Sequence, residues 1–180
     1  GIDGRLVADH PVRNPLLPGS FNPLHPGHEG LAEAAAGILG AKVVFEISVI
    51  NVDKPPLTGD QVRNRLAQFR GKATVVLTRV ETYQKKARLF PGCTFIIGWD
   101  TAVRLVAPRY YESDESAMLN ALAEIWAAGC RFLVAGREED GTFHSLDDVP
   151  VPHGFKPLFQ GIPESVFRAD ISSTGLRSGG

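Results

Sequence analysis

Pro18-Gly19-Ser20-Phe21-Asn22-Pro23-Leu24-His25-Pro26-Gly27-His28 is the stretch around which the rest of the chain can be ordered. Apolar Leu16 and Leu17 run into Gly19, two prolines punctuate the residues that follow, and an alanine-rich run from Glu29 to Leu39 has no proline and only Gly30 before Gly37. That order predicts a strand, a tight turn and a helix. Gly19 suits a backbone that must bend or come close to a ligand, and Pro26 suits a first helical turn, where a missing N–H costs nothing. His25 and His28 then fall at the mouth of a helix, beside unpaired N–H groups that attract anions, phosphate foremost. The same residue types also make ordinary turns, and a histidine at a helix start can be a cap or a surface residue.

Outward from this turn, a length of 180 residues suits one domain with a single core, and no internal repeat or linker divides residues 1–180. With 43% hydrophobic and 22% charged residues the chain reads as soluble and globular, and no apolar run approaches a membrane span. A net charge of −1 argues against a broad nucleic-acid surface. Any phosphate site must therefore be a local concentration of basic groups. Cys93 and Cys130 lie far apart, outside any Cys-x-x-Cys pair or His/Cys cluster, and read as buried reduced thiols. No signal peptide precedes the first strand, which points to the cytoplasm, while Gly1 in place of Met leaves open an excerpt from a longer protein. A homo-oligomer is left open as well.

Periodicity sets out the remaining elements. Residues 1–14 read as an irregular lead-in or short edge hairpin, and the first strand covers Pro15 to Pro18. Leu31, Ala34, Ala35, Ile38 and Leu39 recur at helical spacing up to Gly40. Lys42 to Ile50 is a β-branched run suited to a central parallel strand buried on both faces. It empties into Asn51-Val52-Asp53-Lys54-Pro55-Pro56-Leu57, and Lys54 there either meets a ligand at the strand's C-terminal end or is simply solvated. Gly59 to Phe69 predicts a helix with Val62, Leu66 and Phe69 inward and Arg63 and Arg65 outward. Strands follow at Thr74 to Leu77 and Thr94 to Ile97, then a helix from about Thr101. Another helix runs from Glu115 to Ala128, with Met118, Leu119, Leu122, Ile125 and Trp126 as its core stripe, and a strand from Cys130 to Ala135 leads into Gly136-Arg137. Residues 138–163 are rich in Gly, Pro and His, with one short strand expected near Leu158. His144 and His153 read as loop residues, and Glu164 to Phe167 as a last strand. Alternating strands and helices with short connections predict one doubly wound, Rossmann-like α/β domain: a parallel sheet with helices on both faces.

The turn carries more than fold. From Gly19 to His28 it resembles the nucleotidyltransferases whose signature is Gly-x-Phe-x-Pro-x-His-x-Gly-His, with every fixed position present. A second element of that family, Ile-Ser-Ser-Thr-x-x-Arg, is matched by Ile171-Ser172-Ser173-Thr174-Gly175-Leu176-Arg177. The resemblance implies that Gly19, Ser20, Phe21, Asn22, Gly27, Ser172, Ser173 and Thr174 bind nucleotide, and that His25, His28, Lys54 and Arg177 serve the chemistry. Gly98-Trp99-Asp100 is similar to the family's Gly-x-Asp, with Asp100 facing the nucleotide crevice. Trp99 stands where relatives carry a small residue, and its ring is either a stacking platform for a base or part of the core. Thr82, within Arg79 to Lys86, is similar to an acceptor-binding stretch, although the same charge run reads equally as a solvated face. Arg137 occupies a strand end where a phosphate contact is expected.

The chemistry so implied is attack by a phosphomonoester on the α-phosphorus of a nucleoside triphosphate, with release of pyrophosphate. No side-chain nucleophile is required, and the protein's task is to hold two anions in line and stabilise the charge that builds on them. Mg²⁺ is expected to travel with ATP, because no carboxylate cluster suggests a dedicated metal site. The partners are then ATP and a phosphorylated small molecule, with neither nucleic acid nor membrane. Nicotinamide or nicotinate mononucleotide ranks first as acceptor, which implies a role in NAD biosynthesis. Phosphopantetheine adenylyl transfer, cytidylyl transfer and a non-catalytic nucleotide sensor are the alternatives. A dinucleotide-binding oxidoreductase would carry Gly-x-Gly-x-x-Gly after the first strand, and the P-loop string is absent too.

Overall fold

Leu16–Pro18 forms a three-residue strand, β1, at the centre of a six-stranded sheet. The computed structural model describes residues 7–8, 11–50, 52 and 55–168. Parallel to β1 on one side lies β2 (Val44–Ser48), in the register Leu16↔Val44, Leu17↔Phe45 and Pro18↔Glu46. On the other side lies β4 (Thr94–Gly98), through Leu16↔Phe95. With β3 (Val75–Thr78), β5 (Arg131–Ala135) and β8 (Phe159–Gly161), the sheet runs β3-β2-β1-β4-β5-β8, parallel throughout. The alternation of elements predicts a doubly wound parallel sheet, and the strands take a Rossmann-like order.

Two hydrophobic clusters show how the helices divide between the faces. Ala32 and Ala35 of α1 (Pro26–Leu39) and Phe69, just beyond α2 (Gly59–Ala67), pack with Leu17, Phe45 and Ile47 on one face. Ala87 of α3 (Tyr83–Leu89), Ala102 and Leu105 of α4 (Trp99–Leu105), and Leu122 and Ile125 of α5 (Glu115–Ala127) pack with Leu16, Val44, Phe95 and Phe132 on the other. Successive strand residues point to opposite faces, which is why Leu16 and Leu17 enter different clusters. Burying each large apolar side chain contributes about 1.5–3 kcal/mol, and packing of this kind, rather than helix propensity, holds the seven-residue α3 and α4 in place.

The chain after β1 goes to one face and the chain after β4 to the other, although the two strands are neighbours. A crevice therefore opens at their C-terminal ends, the topological switch point where such sheets bind ligands. Gly40 closes α1 in the left-handed conformation, at φ 61°. Thr58, Thr82 and Asp114 cap the N-termini of α2, α3 and α5 with their side chains.

Three sequence expectations change. Glu164 to Phe167 is a turn rather than a strand, since the N–H groups of Val166 and Phe167 both bond back to the Pro163 carbonyl. The stretch after β5 holds an antiparallel hairpin, β6 (Arg137–Glu139) with β7 (Thr142–His144), too short for its period to register in the sequence. Arg65 is half-buried instead of facing outward, because its guanidinium turns toward the turn after β1. Among the described residues no helix is long and apolar enough to cross a membrane.

Candidate active site

The turn from Gly19 to His25 is built around one buried ring. Phe21 sits in the left-handed region at φ 43° and is 1% exposed, with its ring edge-on to Phe45 at 5.2 Å and to Phe69 at 5.5 Å. That ring lies against Gly19, where a Cβ would stand 2.6 Å from the Phe21 Cζ. Glycine at position 19 is thus what lets the phenyl anchor fold under the turn. The Gly19 N–H donates to the Glu46 carbonyl at 2.9 Å and ties the turn to β2. The Asn22–Pro23 peptide is cis.

Pro26 opens α1, and the two signature histidines stack on one another beside it, with ring centroids 3.6 Å apart and planes tilted by 30°. His25 is buried and His28 half-buried. A Cβ at position 27 would stand 3.0 Å from the Cε1 and Nδ1 atoms of His25, so Gly27 is the space into which that ring leans. His28 meets the edge of Phe21 at 4.9 Å, which links the imidazole pair to the buried anchor. The backbone N–H of His25 donates to His28 Nδ1 at 3.3 Å. A ring nitrogen that accepts carries no proton, so neutral His28 has its proton on Nε2. Burial, and secondly the neighbouring His25, lower the His28 pKa to about 4. Burial also lowers His25, partly offset by Glu29. Both rings are neutral N–H donors at pH 7, at the first turn of a 14-residue helix whose dipole favours an anion.

Opposite, at the ends of β4 and β5, Asp100 and Arg137 pair with one another, and Arg137 reaches Glu139 at 3.5 Å. The Trp99 ring stacks on His144 of the hairpin, at 4.6 Å between centroids and 26° between planes, and packs against the core. Trp99 therefore takes part in the core and in a stack with a protein ring. The indole Nε1 of Trp99 and the Nε of Arg137 are buried without a hydrogen-bond partner among the described residues. Thr82 caps α3, accepting from the Lys85 N–H at 3.4 Å. Below the crevice, Glu46 of β2 and Lys86 of α3 form an ion pair that is 1% and 5% exposed, with Nζ 2.7 and 2.6 Å from the two carboxylate oxygens. The Thr78 hydroxyl donates to the same carboxylate.

Of the residues singled out in the sequence, Gly19, Phe21, His25, Gly27 and His28 come together in one turn, with Ser20 and Asn22 exposed at its apex. Trp99, Asp100 and Arg137 form a second group with His144, a residue that reads as an ordinary loop histidine in sequence. Lys54, Ser172, Ser173, Thr174 and Arg177 lie outside the described residues. The Glu46–Lys86 pair is a further departure, because a glutamate inside a β-branched run is a signal in itself. Among the described residues no group of three or more His, Cys, Asp and Glu side chains is arranged to hold a metal ion.

Comparison with known proteins bears on the same turn and sheet. The chain is 28% identical over 177 residues to the probable nicotinate-nucleotide adenylyltransferase of Gloeobacter violaceus, an alignment that covers 90% of this chain and 81% of that protein. A family model described as Cytidylyltransferase-like matches residues 16–179, from the first residue of β1 to one short of the C-terminal glycine. With a paired-histidine turn leaving β1 at the switch point and a family match across nearly the whole chain, the protein belongs to the cytidylyltransferase-like family and is a nucleotidyltransferase.

Proposed function

We propose that this nucleotidyltransferase moves an adenylyl group from ATP to nicotinamide or nicotinate mononucleotide and releases pyrophosphate, a step of NAD biosynthesis. The observation that carries the transfer chemistry is the stacked His25–His28 pair at the start of α1, with the His28 tautomer set by the His25 N–H. The acceptor phosphate already carries the attacking oxygen, so neither ring needs to remove a proton. Two neutral donors at a helix N-terminus stabilise the charge that grows on the transferred phosphoryl group, and their neutrality avoids locking the triphosphate in its ground state.

The choice of acceptor is supported by the name of the Gloeobacter relative and by the unpartnered N–H groups of Trp99 and Arg137. A flat ring bearing a carbonyl or carboxylate needs donors of that kind as well as an aromatic surface. In this reading Thr82, Trp99, Asp100 and Arg137 serve the acceptor, Lys54 holds its phosphate, and Ser172, Ser173, Thr174 and Arg177 hold the β- and γ-phosphates of ATP. Mg²⁺ would arrive on the triphosphate and neutralise part of its charge. A cytoplasmic setting belongs to the proposal, and the two buried free cysteines suit it.

The test incubates purified protein and Mg²⁺ with ATP or CTP and each candidate acceptor, with products separated by mass. A dinucleotide formed from ATP and either mononucleotide supports the proposal. Dephospho-coenzyme A from phosphopantetheine overturns the choice of acceptor, transfer only from CTP overturns the donor, and tight ATP binding without pyrophosphate release identifies a sensor.

A further inference from the structure

The turn before His25 is shaped from outside. Its apex runs from Phe21 to Leu24, and an ordinary four-residue turn would close with the Leu24 N–H donating to the Phe21 carbonyl. Here the side-chain amide of Gln68 stands between those two groups. Gln68 Oε1 accepts from the Leu24 N–H at 2.7 Å, and Nε2 donates to the Phe21 carbonyl at 3.1 Å and, more weakly, to the Arg65 carbonyl at 3.4 Å. The amide holds the turn wider than its own backbone bond would. Gln68 is itself fixed as the C-cap residue of α2, and Arg65 on the same helix donates to the Ser20 carbonyl at 2.9 Å. The end of α2 therefore grips the turn at three points, Ser20, Phe21 and Leu24. The last of these adjoins His25, whose own N–H sets the His28 ring.

Only a group that donates and accepts at once can fill this position, and among side chains of this length glutamine alone does so without charge. Pro23 lacks an N–H, so the turn has few bonds of its own with which to replace the amide. We infer that Gln68 is a positioning residue for nucleotidyl transfer: by wedging the Phe21–Leu24 turn open it sets the His25–His28 pair against the phosphates. This rests on the transfer chemistry and on neither choice of acceptor nor choice of base.

Two variants test it. Gln68→Met keeps the length and removes both bonds, and Gln68→Glu keeps an acceptor for Leu24 but sets an anion against the Phe21 carbonyl. A misplaced catalytic pair lowers kcat by about 10- to 100-fold, and the KM for ATP rises by less than kcat falls, because the phosphate-binding groups outside the turn are untouched. Imidazole NMR of the unliganded protein gives a second readout that needs no turnover. In both variants the His28 resonances should shift and its titration should move up toward the ordinary histidine range, with the thermal midpoint little changed. A kcat within about two-fold of wild type, or a loss accounted for wholly by the unfolded fraction, overturns the inference. Unchanged His28 resonances overturn it as well, even where the wild-type protein shows no turnover.

Discussion

Lys86→Met is expected to destabilise the protein far more than loss of a surface ion pair would. The Glu46 carboxylate is 1% exposed and receives two bonds from Lys86 and one from Thr78. Without the ammonium, Thr78 alone remains to support a charge that water cannot reach. Stranding a buried charge in this way costs about 3–5 kcal/mol. A domain's whole stability is about 5–15 kcal/mol, so the variant should lose about a fifth of it or more. Glu46→Leu strands the ammonium instead and should cost a similar amount. The double variant Glu46→Leu/Lys86→Met removes both charges, and its stability should return to the wild-type value or exceed it by about 1–4 kcal/mol, as seen when buried pairs give way to packed apolar groups. Urea unfolding followed by circular dichroism, with m-values compared across the four proteins, closes the cycle. If each single variant lost under about 1 kcal/mol, the pair would be behaving as a solvated one and the argument from burial would be refuted. A double variant no better than the singles would refute it from the other side.

The remaining outcomes concern the two histidines and Trp99. His25→Ala and His28→Ala should each lower kcat by about 100- to 1000-fold, the scale for one positioned donor, and NMR of the unliganded protein should find the His28 imidazole titrating near about 4, well below the substrate phosphates whose own titration near about 6 shapes the pH–rate profile. The sign for stability agrees: between about 4 and 6.5 the unfolded chain binds a proton at position 28 that the folded one refuses, so stability is full above 6.5 and declines as pH falls through that window. A His28 titration centred near 6.5 would refute both statements. Trp99→Ala should weaken the acceptor by about 1 kcal/mol, read as a raised KM for the acceptor with that for ATP unchanged. A fall in thermal midpoint alone would mean that Trp99 serves only its core contacts and its stack on His144.

What was legible in the sequence was local. The strand, turn and helix around Gly19 to His28 follow from neighbouring residues, and the parallel sheet follows from the alternation they begin, so β1, α1, β2, β4, α5 and β5 stand within a few residues of expectation. The residues that shape the site were hidden because they act over distance. Gln68 bonds to Leu24 across 44 positions, Arg65 to Ser20 across 45, and Lys86 to Glu46 across 40. Gln68, Arg65 and Lys86 each sit on a helix or at its end and have the residue type of a solvated face. The β6–β7 hairpin escaped for another reason, since three residues per strand leave no room for a period to appear.

Both long-range anchors act on the same small region from opposite faces of the sheet. On one face α2 grips the turn through Gln68 and Arg65; on the other, α3 is pinned through Lys86 to Glu46, whose carbonyl receives the Gly19 N–H. Glu46 thus ties the start of the turn to β2 with its backbone and α3 to β2 with its side chain. A turn rich in glycine and proline can take the shape that catalysis needs but has few bonds with which to keep it. In this structure much of the restraint comes from outside the turn, from α2 and β2 directly and from α3 through Glu46. A side chain that looks superficial in sequence, such as Gln68, thereby bonds to the residue that adjoins His25.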